Sequence, residues 1–145
     1  MTGLLIGLAR RAKPRAPMEQ LDEARLAPEF GVEGDFRGKP GKRQITILFL
    51  EDWSAVCAQL GDQRSWTLRR ANLLIEGLAN PRAPGGVLAI GPARLRITGE
   101  CDPCGRMDGQ WPGLTNALKP DWRGGLIAQV IEPGAIETGF GVRLL

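Results

Sequence analysis

The chain contains no histidine, and that single absence removes much of the usual catalytic repertoire. Without an imidazole there is no base to activate a serine or cysteine in the familiar triads. A structural zinc site wants four Cys or His ligands, and only three cysteines are present, so zinc is not expected. An odd number of thiols suits reduced cysteines better than a disulfide framework. Long apolar runs are also missing: none approaches the roughly 18 uncharged residues of a membrane helix. The opening MTGLLIGLARR carries its charges after its apolar run, the reverse of a secretory signal. A cytoplasmic protein with no membrane partner is expected. The net charge of +3 and pI near 9.1 are modest. They admit anionic partners without selecting nucleic acid, and none is expected.

What the chain does have is punctuation. Twenty glycines and 11 prolines in 145 residues are too many for a helical bundle and favour short strands joined by turns. A chain of this length forms one domain, residues 1–145, and buries roughly two thirds of the surface its unfolded form exposes. GLLIGLA at 3–9 reads as a first buried strand, followed by the basic, proline-broken loop RRAKPRAPM. FGVEGDFRGKPGKR at 30–43 is too irregular for helix or strand. It reads as a long, mobile loop, a kind often functional in compact domains. QITILFLED at 44–52 is a core strand. Behind it Trp53, Val56, Cys57 and Leu60 share one helix face that ends at Gly61, so Cys57 packs inside. RRANLLIEGL at 69–78 fits strand or helix. GGVLAIGPARLRITGE at 85–100 is a pair of strands around Gly91 and Pro92. A short helix between prolines at 112–120 and two or three closing strands complete a mainly β fold, a small barrel with one or two short helices.

The motif CDPCGRMD at 101–108 is the densest in chemistry. Its two thiols admit a metal clamp, a redox pair, or one reactive cysteine beside a bystander. A clamp lacks its second pair of ligands. A thioredoxin-like pair opens a long helix, which Gly105, Gly109 and Pro112 oppose here. Arg106 would favour a thiolate at Cys104 if its guanidinium turned toward the sulfur. GDFRGKP at 34–40 is no P-loop, because its glycines are too close and Pro40 stands where a Ser or Thr would hold magnesium. Arg37, Lys39, Lys42 and Arg43 nevertheless make that loop a basic one that can clamp an anion.

GVEGDFRG, RRANLLIEGL, AIGPARLRITGECDPCGRMD and WRGGLIAQVIEPGAIETGFGVRL, in that order, resemble the successive motifs of a MOSC domain, the molybdenum cofactor sulfurase C-terminal domain. The likeness spans residues 3 to 145. It implies a MOSC-type β-barrel holding molybdopterin or sulfur at a cysteine just after a strand. That cysteine corresponds to Cys104, the molybdenum ligand if the metal is bound, and Cys101 becomes the bystander. Arg70 and Asn72 match the family's Arg-x-Asn element, and Gly31, Gly34 and Asp35 its Gly-x-x-Gly-Asp element. Arg37 stands where many members have a histidine, and Gly139 with Phe140 replaces a closing Gly-Asp.

The resemblance implies molybdenum cofactor binding, sulfur carriage, or both. A soft thiolate suits a soft metal and also carries a persulfide. Arg70, Arg106, Lys39, Lys42 and Arg123 are the expected partners of the cofactor's phosphate, with Asn72 and Asp35 beside them. No pyridoxal phosphate is expected on this chain. As the metal-bearing part of a reductase of N-hydroxylated compounds, the protein would need an electron-transfer or molybdoenzyme partner; as a carrier, a persulfide donor. The rival functions are a thiol-disulfide protein using Cys101 and Cys104, and a basic nucleic-acid-binding module. If RRAN were extended, Arg70 and Asn72 would face one way and Arg69 the other.

Overall fold

The computed structural model describes residues 2–145. Eleven strands run in chain order: β1 (Thr2–Arg10), β2 (Glu19–Gln20), β3 (Glu23–Ala27), β4 (Gly31–Val32), β5 (Ile45–Phe49), β6 (Leu73–Glu76), β7 (Val87–Ile90), β8 (Ala93–Glu100), β9 (Leu126–Glu132), β10 (Gly134–Glu137) and β11 (Gly141–Leu144). Two α-helices join them, α1 (Leu50–Leu60) and α2 (Leu114–Leu118), with short 3₁₀ turns at Trp66–Arg69, Gly105–Gly109 and Pro120–Trp122. Among the described residues no helix is long and apolar enough to cross a membrane.

Seven strands close a barrel. The order is β11-β7-β8-β9-β5-β6-β1, and β1 pairs back with β11. Every neighbouring pair is antiparallel except β5 with β6. That parallel pair needs a crossover, and α1 with the turn after it supplies one. Strand β2 adds to the far end of β1. A second small sheet, β10-β3-β4, flanks the barrel. Closure leaves the barrel strands few unpaired edges, which is how many short strands avoid aggregation.

The barrel explains why QITILFL reads as nearly continuous apolar. Ile45, Ile47 and Phe49 point into the interior with Leu5, Leu73, Ile75, Leu95, Leu126 and Val142. Leu48 and Leu74, one residue out of phase, face outward into a second core with Trp53, Val56, Cys57, Trp111, Leu114 and Leu118. Both faces of β5 and β6 are therefore buried, one by the barrel and one by the helices. The expected strand at 44–52 ends earlier, at Phe49, because α1 begins at Leu50. Cys57 is buried on α1 as its helix face required, and Gly61 ends that helix in the left-handed region.

Segment 69–78, ambiguous in the sequence, divides: its start closes a 3₁₀ turn and its middle is β6. The turn at Gly139 and Phe140 joins β10 to β11, and both residues exchange backbone bonds with Leu5 across the closure. The departure from the family's closing Gly-Asp thus falls on a turn.

Gly125, at the entry to β9, leaves no room for a side chain. Its φ is +94, and a Cβ there would collide with the backbone carbonyl of Ile47 on β5. Gly125→Ala is expected to cost more than about 3 kcal/mol, combining left-handed strain with displaced backbone. Gly109→Ala, which meets nothing within 4 Å, stays within about 0.5 kcal/mol. Urea unfolding of the two variants checks this.

Candidate functional site

The end of β8 sets the cysteine motif. Cys101 follows Glu100 directly, and its amide donates to the Gly125 carbonyl at 2.9 Å. Its side chain is buried, whereas Cys104 is exposed. Cys104 sits in extended conformation immediately before the 3₁₀ turn at 105–109. Its carbonyl accepts from the Met107 amide at 3.0 Å and from Thr115 Oγ1 at 2.9 Å. The backbone under the thiol is thus held by two bonds while the sulfur faces out. Arg106 is exposed on the same turn and makes no hydrogen bond to Cys104 within the described residues.

Arg69 explains why Cys101 is the buried one. Arg69 is 6% exposed, and its guanidinium donates to the Gly124 carbonyl at 3.0 Å, the Cys101 carbonyl at 2.9 Å and Cys101 Sγ at 2.8 Å. A longer contact of 3.9 Å reaches Met107 Sδ. One side chain thereby ties the strand end, the loop before β9 and the 3₁₀ turn together. This corrects the expectation that Arg69 faces away as an idle neighbour of Arg70. The segment is not extended: Arg70 adopts φ 62 and ψ 33, the left-handed region, at the end of its turn. Simple alternation of faces does not apply there.

Arg70 and Asn72 nevertheless line one cleft, between the loop after β1 and the loop after β4. Asn72 is buried and fully engaged. Its Oδ1 accepts from the Thr46 amide at 2.9 Å, and its Nδ2 donates to the Ala9 carbonyl at 3.2 Å and to Asp35 Oδ2 at 3.4 Å. It joins the end of β1 to the start of β5. Asp35 Oδ1 in turn accepts from the Arg11 amide at 3.1 Å. Asp35 is held above its ordinary 3.8 chiefly by burial, against which the Asn72 hydrogen bond and the nearby Arg37 and Arg10 charges act.

The segment at 30–43 is not loop throughout, since Gly31 and Val32 form β4 against β3, and the remainder is more tightly held than its composition suggests. Gln44, buried behind it, donates to the carbonyls of Pro28 and Gly38 at 2.8 and 3.1 Å and accepts from the Val130 amide at 2.9 Å. The Phe36 amide bonds to the Arg11 carbonyl at 2.9 Å. The outer part of the loop, with Lys39 and Lys42, is exposed and lines an open concavity beside the cleft, which shares Arg37 and Arg43 with it.

The expected site residues therefore form two groups and an outlier. Arg70, Asn72 and Asp35 meet in the cleft, with Lys39 and Lys42 on its outer rim. Cys104, just before the 105–109 turn, and Arg106, on it, do not line the cleft. A bridge runs between the groups: with the Gln110 amide oriented to satisfy its neighbours, it donates to the Leu68 carbonyl at 3.1 Å and accepts from Arg70 Nε at 3.2 Å. Arg123 stands apart, donating to Gln59 Oε1 at 2.8 Å and to the Ala117 carbonyl at 3.3 Å. The residue the sequence reading passed over is Arg11, which lines the cleft. Its one sequence signal was the doublet Arg10-Arg11 ending a strand, where alternation sends one of the two inward.

Comparison with known proteins gives this barrel a family and structural neighbours. The MOSC domain model matches residues 27–143. The chain belongs to the MOSC domain family. Among solved structures, the YuaD protein of Bacillus subtilis aligns at a TM-score of 0.85 with 22% identity, covering 98% of this chain and 94% of that one. YiiM of Escherichia coli aligns at 0.75 with 19% identity, over 100% and 70% of the two chains. YiiM of Geobacillus stearothermophilus aligns at 0.72 with 16% identity, over 99% and 73%. At these identities the likeness concerns the fold. The curated proteins contain no match.

Two tests follow for this MOSC domain. Arg69→Ala leaves the Cys101 and Gly124 carbonyls without their donor and is expected to cost about 2 to 4 kcal/mol in urea unfolding. Arg70→Ala, on the cleft wall, costs at most about 1 kcal/mol. The second test concerns pH. A carboxyl raised on folding contributes stability that is full below its unfolded value and lost as pH rises through its folded value. The stability of the parent minus that of Asp35→Asn is therefore expected to fall as pH rises from 3.8 through the raised value. Unfolding curves at several pH values report the difference.

Proposed function

We propose that this MOSC domain binds molybdenum cofactor, or carries sulfur for it, at Cys104. The observation that carries the reading is the exposed thiol of Cys104, set on a backbone held by Met107 and Thr115, beside two other cysteines that are buried. The donor chemistry fits the group. A thiolate is a soft ligand suited to molybdenum, and an accessible one takes a persulfide. Among the described residues no three His, Cys, Asp or Glu side chains gather into a metal-holding group. Cys104 would hold such a metal through its single sulfur. When bound, that centre supplies oxygen-atom and electron-transfer chemistry, including reduction of N-hydroxylated compounds with an electron-donating partner protein.

The chain's own part is to hold and orient. Arg70 offers a rigid fork of donors to the cofactor's phosphate, and its Nε bond to Gln110 couples it to the turn that follows Cys104. Asn72 and Asp35 shape the cleft wall rather than reaching a ligand, since the Asn72 amide is committed to Thr46, Ala9 and Asp35. Lys39 and Lys42 add charge at the rim. Arg123, bonded to Gln59 and Ala117, has no part in this reading.

The test is protein purified from a host that makes the cofactor, assayed for molybdenum and for cyanolysable sulfur. Cys104→Ser is expected to lose both, and Cys101→Ser to keep at least half of the parent content. Equal loss in the two variants supports the disulfide pair instead, because each thiol of such a pair is needed to complete its cycle. Arg70→Ala is expected to weaken cofactor binding at least tenfold, the worth of one charge-assisted hydrogen bond of about 1.5 to 3 kcal/mol. Arg123→Ala serves as the control and binds as the parent does.

A further inference from the structure

We propose that Cys101 is a resolving thiol: it attacks a persulfide held on Cys104, releases the carried sulfur as hydrosulfide and leaves a Cys101–Cys104 disulfide. The inference rests on the sulfur-carrying reading of Cys104 and gives the second thiol of the motif a part in it. The setting of Cys101 carries the argument. Arg69, 6% exposed, donates to Cys101 Sγ at 2.8 Å. That is the shortest hydrogen bond involving sulfur among the described residues, where the other two span 3.9 and 4.0 Å. The guanidinium otherwise meets only the Gly124 and Cys101 carbonyls and Met107 Sδ. No carboxylate pairs with it, since the three ion pairs among the described residues involve Arg10, Arg64 and Arg82. A buried cation is costly unless a negative group faces it, and the Cys101 sulfur is the one partner able to carry negative charge.

Sulfur exchange proceeds through the thiolate. In thioredoxin-like pairs the start of a long helix supplies the positive potential that steadies it. Here only the short turn at 105–109 follows Cys104, and Arg69 supplies that charge instead. The two thiols divide the work by exposure. Cys104 is exposed and takes sulfur from a donor outside, whereas Cys101 is 8% exposed and meets what Cys104 brings. Their Cα atoms, three residues apart, lie within about 10 Å of each other, and a disulfide asks for about 6 Å. Residues 101–104 belong to no helix or strand, and the space around Gly105 is open, so drawing the pair together breaks no sheet pairing. In the step the Cys101 thiolate forms a bond to Cys104 Sγ, and the bond from that Sγ to the outer sulfur breaks. Its electron pair leaves with the outer sulfur, which keeps its proton as hydrosulfide. The carried sulfur is thereby reduced by two electrons, and the two cysteines are oxidised to the disulfide. A dithiol reductant from outside reopens the pair for the next cycle and becomes a disulfide itself.

The test loads the reduced protein with inorganic polysulfide, removes the excess, and follows hydrosulfide and cyanolysable sulfur with no thiol added. The parent is expected to release its sulfur as hydrosulfide. Peptide mapping after denaturation and alkylation is expected to find Cys101 joined to Cys104, with Cys57 alkylated throughout as the internal standard. Cys101→Ser, close in size and still able to accept from Arg69, is expected to take up at least half as much sulfur and to release it at least tenfold more slowly until a dithiol is added. Cys104→Ser is expected to take up little and release none. Arg69→Gln, which keeps donors for the two carbonyls and removes the charge, is expected to load normally and to release severalfold more slowly, a separation that a purely structural arginine does not produce. Arg123→Ala behaves as the parent. Release by Cys101→Ser at the parent's rate overturns the proposal and leaves the sulfur reading of Cys104 standing. So does a persulfide that persists on the parent, or one that is found moved to Cys101 without hydrosulfide. A parent that takes up no sulfur at Cys104 overturns both.

Discussion

Closure of the barrel through β1 is the constraint on which the rest depends. Thr2, Gly3 and Leu4 pair with β11 on one side, while Leu4 through Leu8 pair with β6 on the other. Glycine makes this possible at Gly3, where a Cβ would come within 2.7 Å of Leu78 Cβ. Once β1 is locked at that end, its other end emerges beside the start of β5 and the loop after β4. The Arg10-Arg11 doublet is delivered there, one residue outward to Glu19 at 2.9 Å and one inward to the cleft. Removing the closure would free two sheet edges and dissolve the cleft together.

The buried polar groups show how the site is built around that frame. Gln44, Asn72, Arg69 and Arg11 are all nearly inaccessible. Gln44 satisfies its amide on three backbone groups from three segments, and Asn72 on two backbone groups and one carboxylate. Arg69 does the same for the cysteine loop. Each of these residues holds irregular backbone that no ladder covers, where an unpaired carbonyl or amide would be costly. Arg11 differs in kind. It is as buried as Arg69 and Asn72, yet its Nη1 has no hydrogen-bond partner among the described residues, while its ring neighbour is Phe36.

The cysteine motif illustrates how position, not spacing, separates two thiols. In the sequence Cys101 and Cys104 are equivalent members of one motif. In the fold the first continues the strand, bonded to Gly125 and gripped by Arg69, and the second begins a turn facing solvent. Gly124 has no side chain at the point where a Cβ would lie 2.5 Å from the Cys101 carbonyl and 3.3 Å from Arg69. The asymmetry is therefore built from Arg69, 32 positions before Cys101, and from the loop of Gly124 some twenty residues beyond it.

The sequence by itself determined the class of the fold and most of its parts. Alternation and turn residues placed β1, the Gly91-Pro92 strand pair, helix α1 with its inward Cys57, and the closing strands, because each depends on neighbours in the chain. The ordered motifs carried the family, while it is the fold that brings Arg70, Asn72 and Asp35 into one cleft. Three things were decided only by tertiary structure. Arg69 became a buried clasp because Arg70 turns left-handed, which no local propensity predicts for arginine. Arg123 was drawn to Gln59 and away from the cleft by packing of the helices. Arg11 acquired its burial from a distant segment, the loop of Asp35 and Phe36 that bonds both of its backbone groups. Local pattern decides how a segment is shaped, whereas the electrostatic state of a side chain depends on which distant segments surround it.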